Sequence, residues 1–493
     1  MMHPVRRVLP ALLIALAASA SAAQAAVYIP TKTADTNDGA CDPNDCSLRE
    51  AIAAANQHAG EDVVLLRART YNLTLPPSGN TNHLRIDDDL VILGEGPART
   101  VIDGGVVNGI FYVPGNQSLE IRDLTLRNGR SQGAGGAVRN DGDLTLLRVA
   151  VIANSSVPGA GGSGVGGGIA NEGTLTITDS TIANNNAQSS GGGLTLGGTA
   201  TLTNVTISGN RSNTDFGGGL YVFSDGRATL NNVTITANTA AEKGGGAFIE
   251  NSAFVGVSPK VTNSILAGNI AASDPDCSGA IDSAYNLIGN NQGCIGPAAA
   301  KGDIVGTPAS PRNALLAPLD ENGGPTRTHP LLPGSPAINA ANPAAPGSGG
   351  DACAATDQRG AVRPGGARCD MGAFEVTAAC VAGGSTLCLN NGRFKVTATF
   401  TAEGSTRAAQ GVTLTEDSGY FAFFDPSNVE LTIKVLNACA LNNRYWVFVS
   451  GLTNVAVTVT VTDTQTGETR TYANPAGRVF RTRLDSNAFA TCP

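Results

Sequence analysis

Threonine, cysteine and a thin scatter of acids, arginines and histidines are the residues of this chain whose spacing could do chemistry. Thr176, Thr201 and Thr229 recur at one place in a repeat, Thr178, Thr203 and Thr262 at a second, and Thr125, Thr181, Thr206 and Thr234 at a third. Hydroxyls repeated on a flat sheet could hydrogen-bond a polysaccharide, or order water as ice-binding helices do. Threonine is also simply a good exposed strand residue. Thr176, Thr178, Thr201, Thr203, Thr206 and Thr234 are the candidate glycan contacts.

Acid–base constellations are sparser. Asn213, Thr214 and Asp215 match one polygalacturonase motif by letter, but paired aspartates occur only earlier, at Asp87 to Asp89. The Gly-His-Gly and Arg-Ile-Lys motifs of those enzymes are absent, so residues 213–215 read as a polar turn. Asp87, Asp88 and Asp89 are a Ca²⁺ candidate, yet an alternating strand would send their side chains apart, and a solvated bend is the expectation. Arg122 with Asp123, and Arg139 with Asp141 and Asp143, pair a cation with carboxylates as lyases do, near turns where charge is ordinary. His58, His83 and His329 lack a Gly-x-Ser-x-Gly partner motif. No catalytic set, metal site or cofactor is assigned.

All ten cysteines follow residue 40, which reads as disulfides in an exported protein. Neighbours in sequence suggest Cys41–Cys46, Cys277–Cys294 and Cys353–Cys369. Pairing among Cys380, Cys388, Cys439 and Cys492 stays open. Arg6 and Arg7, an apolar run from Leu9 to Ala18 and the small-x-small site Ala23 to Ala25 read as a signal peptide, residues 1–25. Its removal takes two positive charges and no acid, moving the net charge from −8 to −10. With a pI of about 5.1 and no basic block, the chain is not a phosphate-backbone binder. No apolar run reaches the ~18 residues of a membrane span, so it is not read as an integral membrane protein. Location outside the cell, secreted or at the surface, follows.

The elements that must carry these residues come from a repeat. Glycine pairs recur at Gly135, Gly167, Gly192, Gly218 and Gly245. Rows starting at Leu175, Ala200, Ala228 and Pro259 align, with Leu119 and Leu144 matching more loosely. Leu202, Val205 and Ile207 face inward and Thr201, Thr203 and Thr206 outward, with a bend at Asn204. Asn204, Asn232 and Asn263 share that bend column with Asp123 and Asp179; Asn154, Asn185, Asn210, Asn238 and Asn269 form another. Asparagine tolerates the left-handed backbone such bends need. One unit cannot bury its apolar face, whereas units stacked ~4.8 Å apart make a continuous core. The fold class is therefore all-β: a right-handed parallel β-helix over residues 61–300, with irregular early turns around Val63 to Leu66, Leu90 to Leu93 and Ile110 to Val113.

Asp35 to Gly39, Cys46 to Ile52 and Asn56 resemble the CSLREA domain, which opens many bacterial surface β-helix proteins. The residues themselves read as an N-terminal cap over 26–60. Ser47 and Glu50 form a capping box, and Leu48, Ala51, Ile52 and Ala55 an apolar stripe over the first coil. Gly323 to Leu331, Gly334 to Asn339, Asp357 to Gly360, Arg363 and Pro364, and Cys369 to Glu375 look like the choice-of-anchor Q region. That resemblance places a trailing β-helix part at 301–379 and implies surface display without chemistry. Residues 380–493 alternate around Phe394 to Phe400, Val429 to Val435, Tyr445 to Val449 and Val455 to Val461, and read as a β-sandwich of about seven strands. The expected function is a non-catalytic surface protein for adhesion or glycan binding. The rivals are a polysaccharide lyase or hydrolase on the same scaffold, and a purely structural surface component.

Overall fold

In a computed structural model, the structure describes residues 25–75, 83–159, 163–250, 258–377, 380, 382–464 and 467–492. The expected leader lies outside these residues, apart from Ala25.

The repeat folds as a parallel solenoid because each row has an apolar edge that only its neighbours can cover. Ser118–Arg127, Asp143–Ile152, Thr174–Ala183 and Thr199–Ser208 pair side by side, all parallel. Their sheet runs from Val27–Tyr28 to Ile304–Val305. Among the described residues, a second sheet stacks nine short strands from Leu84–Arg85 to Cys294–Ile295, and a third stacks five from Arg130–Gln132 to Thr239–Ala240. Leu202, Leu230 and Val261 are in register and buried, as the alternation requires. Asp62–Leu65 and Leu90–Leu93 join the first sheet, but Phe111–Val113 lies in the second.

Corners are set by residues that accept positive φ. Asp123, Asp179, Asn204, Asn232 and Asn263 lie between 51° and 56°. Arg148 and Tyr285 adopt the same conformation at 53° and 58°, although neither type favours it. The glycine columns reflect close backbone approach: a Cβ on Gly192 would sit 2.3 Å from the Gly218 carbonyl oxygen. The second asparagine column runs inside the coil. Asn154, Asn185, Asn210 and Asn238 each send backbone N–H and Nδ2–H to the Oδ1 of the next asparagine at 2.9–3.0 Å. Asn269 ends the ladder on Asp276. The buried amides of this ladder are thus satisfied one coil by the next.

Helix Leu48–Ala55 closes the N-terminal end. The Ser47–Glu50 capping box is formed, and Leu48, Ala51, Ile52 and Ala55 pack into the solenoid core. Burial alone would raise the pKa of Glu50. Hydrogen bonds from the Ser47 and Asp38 N–H groups and from Thr36 outweigh it and hold the carboxyl at about 2.

At the other end the chain departs from the expected trailing coils. Only Ile304–Val305 joins the stack. Among the described residues from 306 to 377 there are isolated bridges but no strand. This strap turns back along the solenoid flank, and its Ala314, Leu331, Ala337, Ala341 and Met371 pack on Ile265, Ala267 and Leu287. It left no alternating pattern because its apolar residues meet a flank and do not stack.

After the strap, ten antiparallel strands among the described residues form two five-stranded sheets. Phe394, Val396, Phe400 and Val459 on one meet Leu431, Ile433, Val447 and Phe489 on the other across one core, which makes a sandwich. About seven strands were legible; exposed ones such as Ser405–Ala408 carry no apolar face. Five disulfides link Cys41–Cys46, Cys277–Cys294, Cys353–Cys369, Cys380–Cys388 and Cys439–Cys492. The last two resolve the pairing left open by spacing.

Candidate functional site

The outer face of the first sheet carries one straight column of hydroxyls. Thr145, Thr176, Thr201 and Thr229 are in register on successive strands, with Lys260 next. Thr178 and Thr203 form a shorter column two residues on, followed by Asn231 and Thr262. Thr201 is exposed, and Thr176, Thr178 and Thr203 are half-buried. Alternation aims them outward, since their neighbours Leu175, Ile177 and Leu202 fill the core. These candidate hydroxyls stand about 4.8 Å apart along the column.

Beyond the bend the reading is corrected. Thr206 and Thr234 point away from the coil but are buried beneath the strap, so neither can offer a hydroxyl to an outside ligand. Thr206 Oγ1 donates to Gln358 Oε1 at 2.7 Å. Gln358 Nε2 donates in turn to Thr181 Oγ1 and Thr326 Oγ1 at 2.9 and 2.8 Å. Thr234 Oγ1 accepts from the Ala373 N–H at 2.9 Å. Thr125 and Thr262 are buried as well. No local signal in the repeat marks this difference.

The bend residues grip the same strap. Asn204 Nδ2 donates to the Thr356 carbonyl, Asn232 Oδ1 accepts from Ala354 N–H, and Asn263 Nδ2 donates to the Asp351 carbonyl. Inside the strap, Arg363 and Glu375 form a fully buried pair at 2.7 Å. Glu375 also accepts from Gly365 and Asp370 N–H, so its charge is fully ligated. Asp357 and Arg359 pair at 2.7 Å beside it. These motif residues act as a fastening. Two carboxyls here titrate unusually: burial raises both Asp179 and Asp370 to about 6, with Glu375 repulsion adding to the latter.

His329 is part of this fastening. Ser208 Oγ lies 2.8 Å from its Nε2, and its Nδ1 lies 2.7 Å from the Ala317 carbonyl. Burial lowers its pKa and favours the neutral ring, so Nδ1 donates to the carbonyl and Ser208 donates to Nε2. The pair has the local look of a serine–histidine dyad. Both members are buried, which denies it a substrate.

The second sheet brings together charges that spacing had separated. Arg85, Tyr112 and Arg139 are in register, with guanidinium carbons 5.2 and 5.0 Å from the Tyr112 ring centre. Tyr112 OH donates to Asp141 at 2.9 Å, and Arg139 pairs with Asp141 at 3.0 Å. Burial and then Asp141 raise the Tyr112 pKa, so the phenol keeps its proton. Glu172 is raised by burial and by repulsion from Asp141 and Asp225. Asp143 makes no part of this cluster's ion pairs. Farther along, Phe216, Phe248 and Tyr221 make a stack, with Tyr221 and Phe248 5.3 Å apart, and Phe223 meets Tyr221 edge-on. A concentration of aromatics between 216 and 248, in a chain with only 5% aromatics, was the sequence signal for it.

The remaining candidates are absorbed by structure. Asp88 and Asp89 accept from Gly60 and Ser118 N–H, and Asp87 pairs with Arg85. Asn213 bonds Asn186 and Arg211, and Asp215 bonds Ser189. Arg122 pairs with Glu120, and Asp123 with Arg148. His58 bonds Asp62, and buried His83 bonds the Gly135 carbonyl. Asp38, Asp45 and Glu50 gather carboxylate oxygens within 4.8 Å of one another, but the Lys32 ammonium lies among them.

Residues 108–292 match the family described as right handed beta helix region. The solenoid is a right-handed parallel β-helix. The match covers the regular coils and stops short of the strap and the sandwich. Comparison with curated proteins and with solved structures gave no match. Among the described residues, no helix of this β-helix protein is long and apolar enough to cross a membrane.

Proposed function

We propose that this β-helix protein is exported and binds a polysaccharide along the open threonine strip, without cleaving it. The observation that carries the reading is the register of Thr145, Thr176, Thr201 and Thr229 on an outward face. Their hydroxyls, with those of Thr178 and Thr203, make no hydrogen bond to another described residue, whereas Thr181, Thr206 and Thr234 are all engaged. Single hydroxyl contacts contribute only about 1 kcal/mol, so several in register are needed for useful affinity. Five disulfides and the signal-like leader support export to the cell surface or beyond. The CSLREA and choice-of-anchor Q resemblances support surface display.

A glycan array run beside a uronate-release assay tests this reading. The purified protein is expected to retain one or more glycans and release no unsaturated uronate. Replacing Thr145, Thr176 and Thr201 together with glutamate abolishes retention and leaves the fold intact. Retention unchanged in that folded variant rejects the strip as the site. A lyase or hydrolase is the second reading, and the Arg85–Tyr112–Arg139 stack with Asp141 and Glu172 is what favours it. Released product, lost in Tyr112→Phe, would establish that reading.

A further inference from the structure

The strap does more than cover a flank: where it leaves the last coils it walls a cleft of about 480 Å³. That volume lies within the range of small-molecule sites, about 300–1,000 Å³. One side is coil, with Thr236, Asn269, Asp276 and Asn290; the other is strap, with Arg312, Asn313 and Leu316. The donors and acceptors on these walls are unbalanced. Asp276 uses its oxygens internally: Oδ1 accepts from Asn269 N–H and Nδ2–H, and Oδ2 from Asn290 N–H at 2.7 Å. Asn290 Oδ1 and Asn313 Oδ1 accept from the N–H groups of Gln292 and Leu315. Their amide NH2 groups, the Thr236 hydroxyl and the Arg312 guanidinium donate to no described residue.

We infer that this cleft binds a carboxylate-bearing sugar, with the carboxylate held by Arg312 and the ring hydroxyls by Thr236, Asn290 and Asn313. An unpaired planar guanidinium matches a planar carboxylate with two parallel hydrogen bonds. Amide and hydroxyl donors suit the oxygen-rich remainder of a sugar, and Leu316, Ala314 and Pro311 supply an apolar wall for its C–H face. The inference deepens the glycan-binding reading, and rests on it only for the sugar; the cleft and the threonine strip are separate surfaces.

Glucuronate and glucose decide it, since they differ only at the group assigned to Arg312. Binding of each to the whole protein is followed by ligand-observed NMR titration at low salt. Glucuronate is expected to bind at least tenfold more tightly than glucose. In Arg312→Gln the preference disappears, while retention of long neutral glycans by the threonine strip stays as in wild type. Arg312 is exposed, so the variant keeps its fold, and an unchanged melting temperature verifies that. Equal binding of the two sugars, no binding of glucuronate, or an unaltered preference in Arg312→Gln overturns the cleft. Loss of neutral-glycan retention only in the threonine variant keeps the two surfaces distinguishable.

Discussion

Two threonine columns lie on one sheet of this solenoid, five residues apart along each strand, and meet opposite fates. Thr176 and Thr201 stay open, while Thr181 and Thr206 are sealed under the strap. The rows that supply them are the same rows, and both columns point out of the coil. The difference lies at the bend between them. Asp179, Asn204, Asn232 and Asn263 turn the chain there; the three asparagines also bond the strap through their side-chain amides, and Asp179 accepts from Thr326 Oγ1 at its backbone carbonyl. Outward orientation is therefore a property of the coil, and exposure a property of what else the chain lays on it.

The largest test of this contrast breaks the strap's own fastening. Arg363→Ala leaves Glu375 charged, buried and short of a partner, and is expected to cost about 3–5 kcal/mol in denaturant unfolding. Hydrogen exchange is expected to rise across residues 323–375 before it rises in the asparagine ladder. Protection lost equally in both would merge the two regions into one cooperative unit.

Thr206→Val sharpens the comparison at one position. It removes the donor to Gln358 Oε1 in a buried site, for an expected loss of about 1–3 kcal/mol. Thr201→Val, on the open column, is expected to stay within about 0.5 kcal/mol. Similar losses from both would show that the columns do not differ energetically.

A smaller effect is expected with pH. Asp179 and Asp370 have folded pKa values of about 6, above the ordinary aspartate value, so the folded state holds protons that the unfolded chain has released. Their protonation favours the fold, and stability is expected to fall as pH rises from about 4 through 6. Asp179→Asn keeps a carbonyl oxygen for Asn204 Nδ2 and cannot ionise. Melting followed across that window is expected to show a shallower decline than in wild type. An unaltered slope would remove Asp179 from the pH response.

Much of the solenoid was legible because its causes are local. Period-two alternation fixed which of Leu202 and Thr203 enters the core, and Asn204, Asn232 and Asn263 announced a left-handed bend. Ser47 and Glu50 announced the cap. Arg148 and Tyr285 carried no such announcement, since stacking on neighbouring coils imposes their positive φ against residue preference. The Arg85–Tyr112–Arg139 stack was illegible for a different reason: its members stand 27 positions apart, and Arg85 and Tyr112 lie in the irregular early turns before the aligned rows begin.

By itself, then, the sequence determined a repeating all-β coil, its register, its capped beginning and three of its disulfide partners. Each depends on side chains within one row or on the identical place in the next. Tertiary structure alone decided the burial of Thr206 and Thr234, the meeting of Ser208 with His329 across 121 residues, and the cleft between Asn290 and Arg312. Those depend on where a strap without periodicity comes to rest. That position is set by shape, by the Asn204-to-Asn263 corner and by the buried Arg363–Glu375 pair; the bend and the motif are visible in short stretches of chain, but their meeting across 88 to 152 residues is not.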